Sequence, residues 1–182
     1  MIRFKKIWVS SLVFSALLFS CTEKLDFDQY DHLRLTPIME ASILYVEAPE
    51  RVINLVTQSS IFTKDLNFEA FSADIFSERV IEGTITYVVE NTTSKALEIS
   101  VAFLDRNNNV LDTEIFTVQP APAPILQRDV FYGPGGRSID IVKNTSKFRV
   151  SALNLGDSTS TSNLPDPMVT LKSSGQFLVR VK

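Results

Sequence analysis

The chain has one cysteine and one histidine among its 182 residues, and this scarcity excludes several kinds of site. A disulfide needs two cysteines, and structural zinc sites are usually built from four cysteine or histidine ligands. The histidine, His32, lies beside Asp31 in an acidic segment outside the predicted core, where no base is held within reach of a nucleophile. We therefore expect no metal, no cofactor and no catalytic residue, so that the protein is not an enzyme.

The chain also lacks a basic cluster and has few aromatic residues that could form a binding surface. Its formal net charge is −3, so nucleic-acid binding has no electrostatic basis and we expect no nucleic-acid partner. The only tryptophan, Trp8, lies in the N-terminal segment. Among the tyrosines, Tyr87 and Tyr45 are assigned to core faces, which leaves Tyr132 as the aromatic expected at an edge.

The first 21 residues carry the clearest signal in the sequence. Arg3, Lys5 and Lys6 precede a stretch from Ile7 to Ser20 that is almost wholly apolar. A basic start, a short apolar run and a small residue before the cut are the features of an export signal. The apolar run is shorter than the roughly 20 residues that span a bilayer. We therefore predict a signal peptide over residues 1–21.

The segment Leu18-Phe19-Ser20-Cys21 resembles the lipobox of bacterial lipoproteins. The resemblance implies cleavage before Cys21, a diacylglyceryl group on its sulfur and an acyl chain such as palmitate on the new amine. Two or three chains hold a protein on a membrane far more firmly than one. Thr22 stands where an aspartate would retain some lipoproteins at the inner membrane, which implies the outer membrane. The alternative is an ordinary signal peptide in which Cys21 has no role.

Residues 22–36 form an acidic segment between Cys21 and the predicted domain. Such a run resembles the signal that directs some lipoproteins to the cell surface, and a plain solvated tether explains it equally well. Periplasmic and surface-exposed locations therefore both stay open. Removal of the first 21 residues leaves 161, and the loss of three basic residues moves the side-chain charge to about −6. This length suits one domain over residues 37–182.

Alternating apolar residues predict that this domain is mainly β-sheet. Strands are indicated over residues 81–90, 97–103 and 110–118, with turns at 91–95 and 105–109. We interpret these three strands as an antiparallel meander. Further strands are predicted over residues 38–47, 66–71 and 148–155, and residues 168–172 and 176–181 are predicted to form a closing hairpin around 173–175.

Short helices are predicted at a few positions between the strands. One begins at Pro49 and reaches Leu55, with a strand over residues 51–57 as the alternative. Another is capped by Ser138 and reaches Lys143, and residues 72–79 suit a single helical turn or a crossover. The whole pattern predicts a two-layer antiparallel β-sandwich. The stretch from Gly83 to Asp105 resembles the hairpin of immunoglobulin- and fibronectin-like sandwiches.

The candidate binding site is a rim formed by Tyr132 and two loops, Gly133–Gly136 and Gly156–Pro167. The Asp105-x-Asn107-x-Asn109 pattern is interpreted as a turn, because an EF-hand calcium loop would continue with Gly and end in Glu. Val110 and Phe116 stand at those two positions.

Three functions follow from these observations. The first is a non-catalytic, lipid-anchored interaction or structural module that binds an envelope protein partner. The second is a module that binds a glycan or peptide through the Tyr132 rim. The third is a hydrolase that uses a pair of carboxylates, which sequence alone does not single out.

Overall fold

The computed structural model describes residues 34–56 and 60–181, which lie in one compact unit from Arg34 onward. The predicted signal peptide with Cys21 and the segment around His32 lie outside the described residues. Within the described part of the chain, no helix is long and apolar enough to cross a bilayer.

Eight strands form two four-stranded sheets in which every pairing is antiparallel. The first sheet has the order β1-β8-β3-β6 and the second β2-β7-β4-β5. The strands are β1 (Ile38–Pro49), β2 (Ser60–Asn67), β3 (Val80–Asn91), β4 (Leu97–Leu104), β5 (Val110–Val118), β6 (Leu126–Tyr132), β7 (Lys147–Asn154) and β8 (Met168–Val179). The predicted two-layer β-sandwich is confirmed.

The strand order is that of an eight-stranded jelly roll. An immunoglobulin-like sandwich would keep its first and second strands paired in one sheet, whereas β1 and β2 lie in different sheets here. The expected immunoglobulin-like order is corrected accordingly. The observed strand order differs because the connection after Pro49 passes from one sheet to the other through a helix instead of turning back as a hairpin.

The predicted three-strand meander is wrong in one of its two pairings. β4 and β5 form the expected hairpin, with Leu97 opposite Val118. β3 pairs instead with β6 and β8, so the segment after Asn91 crosses between the sheets. Alternation places Tyr87 and Val89 on a buried face in either arrangement, because the two sheets share one core. The pattern therefore identified the strand but not its neighbours.

Three short helices lie in the connections of the described residues: α1 (Glu50–Ile53), α2 (Asp74–Ser77) and α3 (Ile139–Asn144). The prediction of a helix after Pro49 is confirmed, and the alternative strand over residues 51–57 is wrong. The predicted cap is also confirmed, since the Ser138 hydroxyl accepts a hydrogen bond from the Asp140 amide at 3.2 Å.

Two further strand predictions are corrected. The strand expected over residues 66–71 is β2, which spans Ser60–Asn67, so residues 68–71 lie outside it. The hairpin expected around residues 173–175 is one continuous strand, β8, because Ser173 and Gly175 pair with residues of both β1 and β3. The pairing with β3 is regular here, whereas β1 has a register shift between Ser42 and Leu44. Strand β6 was not predicted, because Arg128 at an inward-facing position and Phe131 at an outward-facing position break its alternation.

The core between the sheets is rich in phenylalanine. Phe71 lies near the centre of one cluster, with ring centroids 5.2 Å from Phe76, 5.1 Å from Phe177 and 6.1 Å from Phe148. The Phe71 ring is stacked on Phe76 and meets Phe177 and Phe148 edge-to-face. Such contacts add to the stabilisation from apolar burial. Since α2 contributes Phe76, this helix covers the core at one end of the sandwich.

Candidate functional site

The connections between the strands divide between two ends of the sandwich. At the entry end, where Arg34 joins the sandwich, lie the connections 67–80, 104–110 and 132–147. At the far end lie the connections 49–60, 91–97, 118–126 and 154–168. Pairing of Gly83 with Tyr132 and of Asn91 with Val169 fixes these positions.

The two loops of the predicted rim therefore lie at opposite ends. Gly133–Gly136 follows β6 at the entry end, and Gly156–Pro167 precedes β8 at the far end. The length of β3 from Gly83 to Asn91, eight residues or roughly 26 Å, separates the two loops. One small ligand cannot contact both loops, so the single rim predicted from the sequence is corrected.

The tyrosines are also placed differently from the prediction. Tyr132 is the last residue of the edge strand β6, and its side chain is fully buried, so it cannot form the exposed rim that was expected. Tyr87 is buried in the core as predicted, whereas Tyr45 is 63% exposed and not in the core. Tyr45 borders a shallow depression of about 380 Å³ on the outer face of the first sheet. The Lys172 ammonium lies 5.9 Å from its ring centroid.

A groove of about 610 Å³ lies at the far end, between α1 and the loop that precedes β8. Pro49, Pro167 and Met168 provide apolar surface, and Arg51 and Asp166 provide opposite charges at its border. Of the predicted rim, only the loop Gly156–Pro167 lines this groove, and Tyr132 does not. It can accommodate a short extended peptide segment or part of a glycan.

Glu50 fixes the walls of this groove. Its carboxylate is 3% exposed and accepts hydrogen bonds from the Ser94 amide and hydroxyl, both at 2.6 Å, and from the Ser162 amide at 2.9 Å. Its backbone amide donates to Pro167 at 2.8 Å. Burial alone would raise the pKa of Glu50, but these hydrogen bonds outweigh it and hold the pKa below its ordinary value. These hydrogen bonds therefore favour the ionised form of Glu50 and join α1 to two other connections.

A second set of contacts ties down the loop that follows β7. The buried Lys95 ammonium donates to Asp157 at 2.8 Å, and the Asn154 side-chain amide donates to the Val56 and Asp157 carbonyls. The Lys95 contact, followed by hydrogen bonds from Ser160, holds the pKa of Asp157 well below its ordinary value. The far end is thus held together by hydrogen bonds among three connections, 49–60, 91–97 and 154–168.

The inward carboxylates that a hydrolase would need are found between β5 and β6. Asp112 and Glu114 point from β5 toward Arg137, and Arg128 on β6 donates to Glu114 at 3.2 Å. Burial raises the pKa of the adjacent Tyr132 above its ordinary value. Both carboxylates are neutralised by arginine, so this cluster is an ion-pair network that joins the two sheets.

The predicted turn at Asp105 is confirmed. Its carboxylate accepts hydrogen bonds from the backbone amides of Asn107 and Asn109, both at 2.8 Å. In residues 34–56 and 60–181, no three His, Cys, Asp or Glu side chains lie close enough together to hold a metal ion.

Sequence reasoning missed Glu50, which is the central side chain of the far-end groove. Nothing in its local pattern separates it from the other acidic residues, because the groups that bury it come from segments 44 and 112 positions away. The one available sign was Pro49, which correctly indicated the start of a helix there.

No known protein-family profile matches this sequence. No curated protein matches it either. Among solved structures, the chain is similar to one of desmodium yellow mottle tymovirus, with 7% identity, 81% of this chain and 90% of that chain covered, and a TM-score of 0.38. It is also similar to a structure of Bacillus endospore appendages, described as disulfide-linked pili, with 5% identity, 79% and 90% covered, and a TM-score of 0.37.

A third similar structure, of turnip yellow mosaic virus, has 11% identity to this chain. The match covers 82% of each chain with a TM-score of 0.36. At such identities and TM-scores these likenesses carry no argument about function.

Proposed function

We propose that the protein is a lipid-anchored, non-catalytic envelope lipoprotein whose sandwich acts as an interaction or structural module at the outer membrane or cell surface. The observation that carries this proposal is the lipobox-like segment Leu18-Phe19-Ser20-Cys21 at the end of an export signal. The ion-paired state of Asp112 and Glu114 supports a structural role for the inward carboxylates.

A second candidate function is binding of a peptide or glycan segment in the far-end groove. The groove of about 610 Å³ is the specific observation that favours it. Its walls are held by Glu50 and Lys95 before any ligand binds, which lowers the entropic cost of binding.

The lipid anchor is tested by replacing Cys21→Ser in the full-length chain. We expect the wild-type protein in the membrane fraction with labelled palmitate incorporated, and the variant released without label. Thr22→Ser, at the next residue, is the matched control and should behave as the wild type. A Cys21→Ser variant that still fractionates with membranes would refute the anchor.

The two functions are separated by crosslinking of the lipidated protein in cells, followed by mass spectrometry. One envelope protein recovered at near-equal amount supports the interaction module. Absence of any protein partner, together with glycan or peptide binding that Met168→Asp abolishes, supports the ligand-binding module. Detection of a turnover reaction lost on a single side-chain change would overturn both.

A further inference from the structure

The chain enters the sandwich beside the end of β8, and this corner has an unusual surface. The Val181 amide donates to the Leu35 carbonyl at 2.9 Å, and the Val179 amide donates to the Pro37 carbonyl at 3.0 Å. The Arg180 amide donates to the Arg79 carbonyl at 2.9 Å. Three segments distant in sequence therefore meet at the entry end.

Large apolar side chains are exposed on this corner. Leu35 is 52% exposed, Ile38 67%, Met39 52% and Val181 46%. The sandwich has a well-filled core elsewhere, so these residues are not needed to complete it. Ile38 and Met39 are consecutive on the edge strand β1, so their side chains lie on opposite faces of the sheet at this corner. Exposed apolar side chains with a polar border are typical of protein or membrane contact sites.

Exposed arginines surround these apolar residues. Arg34, Arg79 and Arg180 are all exposed, and none of them forms an ion pair with a carboxylate among the described residues. Acidic residues also lie near these arginines in sequence, since Asp31 is three positions before Arg34 and Glu78 immediately precedes Arg79. Glu40 accepts a hydrogen bond from the Gln176 side-chain amide at 2.9 Å. The Arg79 guanidinium donates to the Val181 carbonyl at 3.5 Å. Three arginines without a carboxylate partner among the described residues thus lie at one corner of an acidic chain.

The position of Cys21 identifies what this corner faces. Twelve residues, 22–33, separate Cys21 from Arg34, and even fully extended they span only about 40 Å. A lipid anchor at Cys21 therefore keeps the entry end close to the bilayer and raises the effective concentration of lipid at this corner. Arginine suits lipid phosphates, and the apolar side chains suit the boundary between headgroups and acyl chains.

We propose that Leu35, Ile38, Met39 and Val181, with their bordering arginines, form an entry patch that rests on the lipid surface holding Cys21. This inference builds on the proposed lipid anchor. The sandwich then stands on its entry end, and the far-end groove faces away from the bilayer. The 12 residues of β1 place the groove about 40 Å above the lipid.

The test uses the absence of any cysteine other than Cys21. In the lipidated protein, Ile38→Cys or Val181→Cys on the patch and Leu164→Cys at the far end each provide one free thiol for a fluorophore. The labelled proteins are reconstituted in vesicles of phosphatidylethanolamine and phosphatidylglycerol that contain acyl chains brominated near the headgroup. Leu164 is the matched control because it is an exposed leucine of similar accessibility, 48%.

We expect at least twofold quenching of the labels at positions 38 and 181 and none at position 164. The double substitution Arg79→Glu and Arg180→Glu should weaken quenching at position 38 while the protein stays on the vesicles.

Equal quenching at all three positions, or no quenching at positions 38 and 181, would overturn the inference and leave the anchor intact. Self-quenching between labels at position 38 without bromine quenching would show that a second copy covers the patch, which also overturns it. Loss of the wild-type lipidated protein from the vesicles would instead contradict the proposed anchor.

Discussion

Two glycines in the first sheet make room for the ring of Phe177. A Cβ atom added to Gly83 would lie 2.1 Å from Phe177 Cδ1, and one added to Gly175 would lie 2.3 Å from Cε2. Glycine usually weakens a strand, but it is found where another group must approach the backbone closely. The glycines of β3 and β8 are thus required by the packing of one aromatic side chain across both strands.

Gly83→Ala should destabilise the fold by about 1–3 kcal/mol, as overpacking of a filled core does. The Gln176 carbonyl oxygen, 2.7 Å from the new Cβ, belongs to the paired strand and cannot move away easily. Urea unfolding followed by fluorescence measures the change.

Gly156→Ala is the matched control for this substitution. Its nearest neighbour would lie at 3.4 Å, in ordinary contact, so the unfolding midpoint should stay close to that of the wild type. Equal effects of the two substitutions would contradict the packing explanation.

At the scale of single elements, the ion-pair network joins two edge strands from opposite sheets. Arg128 of β6 reaches across to Glu114 and to the Ile115 carbonyl of β5, the latter at 2.9 Å. Its guanidinium also lies 4.7 Å from the Phe116 ring centroid. Charged groups on edge strands also discourage pairing with other chains. Ion pairs as well as apolar contacts therefore hold β5 and β6 together along this side of the sandwich.

Arg137→Met should destabilise the fold by about 2–3 kcal/mol, because it leaves the buried Glu114 carboxylate with only the partly exposed Arg128. Arg149→Met is the control, since the Arg149 pair with Asp65 lies on the outer face of the second sheet. Such exposed pairs contribute little, so its unfolding midpoint should change far less. Thermal unfolding of both variants checks the order, and a larger loss for Arg149→Met would contradict it.

The residue patterns of the individual strands explain which predictions succeeded. Strong alternation identified β3 and β4, a less regular pattern identified β5, and turn residues identified the β4–β5 hairpin. Pairing failed for β3 because alternation specifies a buried face and not the strand beside it. Tyr132 was placed at the surface because β6 went unrecognised, although its position two residues after Val130 puts both side chains on the buried face.

At the scale of the whole molecule, lowering the pH should reduce the free energy of unfolding. Hydrogen bonds and nearby cations lower the folded-state pKa values of Asp65, Asp105 and Asp157, and hydrogen bonds outweigh burial to lower that of Glu50. A carboxyl with a lowered folded-state pKa contributes its stabilisation in full above its unfolded-state pKa. That contribution is lost as the pH falls through the folded-state value. The unfolding free energy should therefore be nearly constant down to about pH 5 and then decline.

Glu50→Gln tests the buried member of this set of four carboxyl groups. The variant should unfold at a lower urea concentration than the wild type at pH 7, and the difference should shrink as the pH falls below about 4, where protonation removes the advantage of the wild-type carboxylate. Glu90→Gln, an exposed residue on β3, is the control and should follow the wild-type curve. A difference that stays constant from pH 7 to pH 3 would contradict the assignment.

Local patterns in the sequence determined the β class, the short helix after Pro49, the Ser138 cap and the Asp105 turn, because each depends on residues a few positions apart. The export signal and the lipobox-like segment at Cys21 are local patterns as well, and they stay predictions. Only the tertiary structure decided the jelly-roll order, the burial of Tyr132 and Glu50, and the placement of the predicted rim loops at opposite ends. Each of these depends on contacts between segments far apart in the chain. Alternation within a strand specifies which face is buried but not which strand lies beside it, because several arrangements would bury the same face in one core.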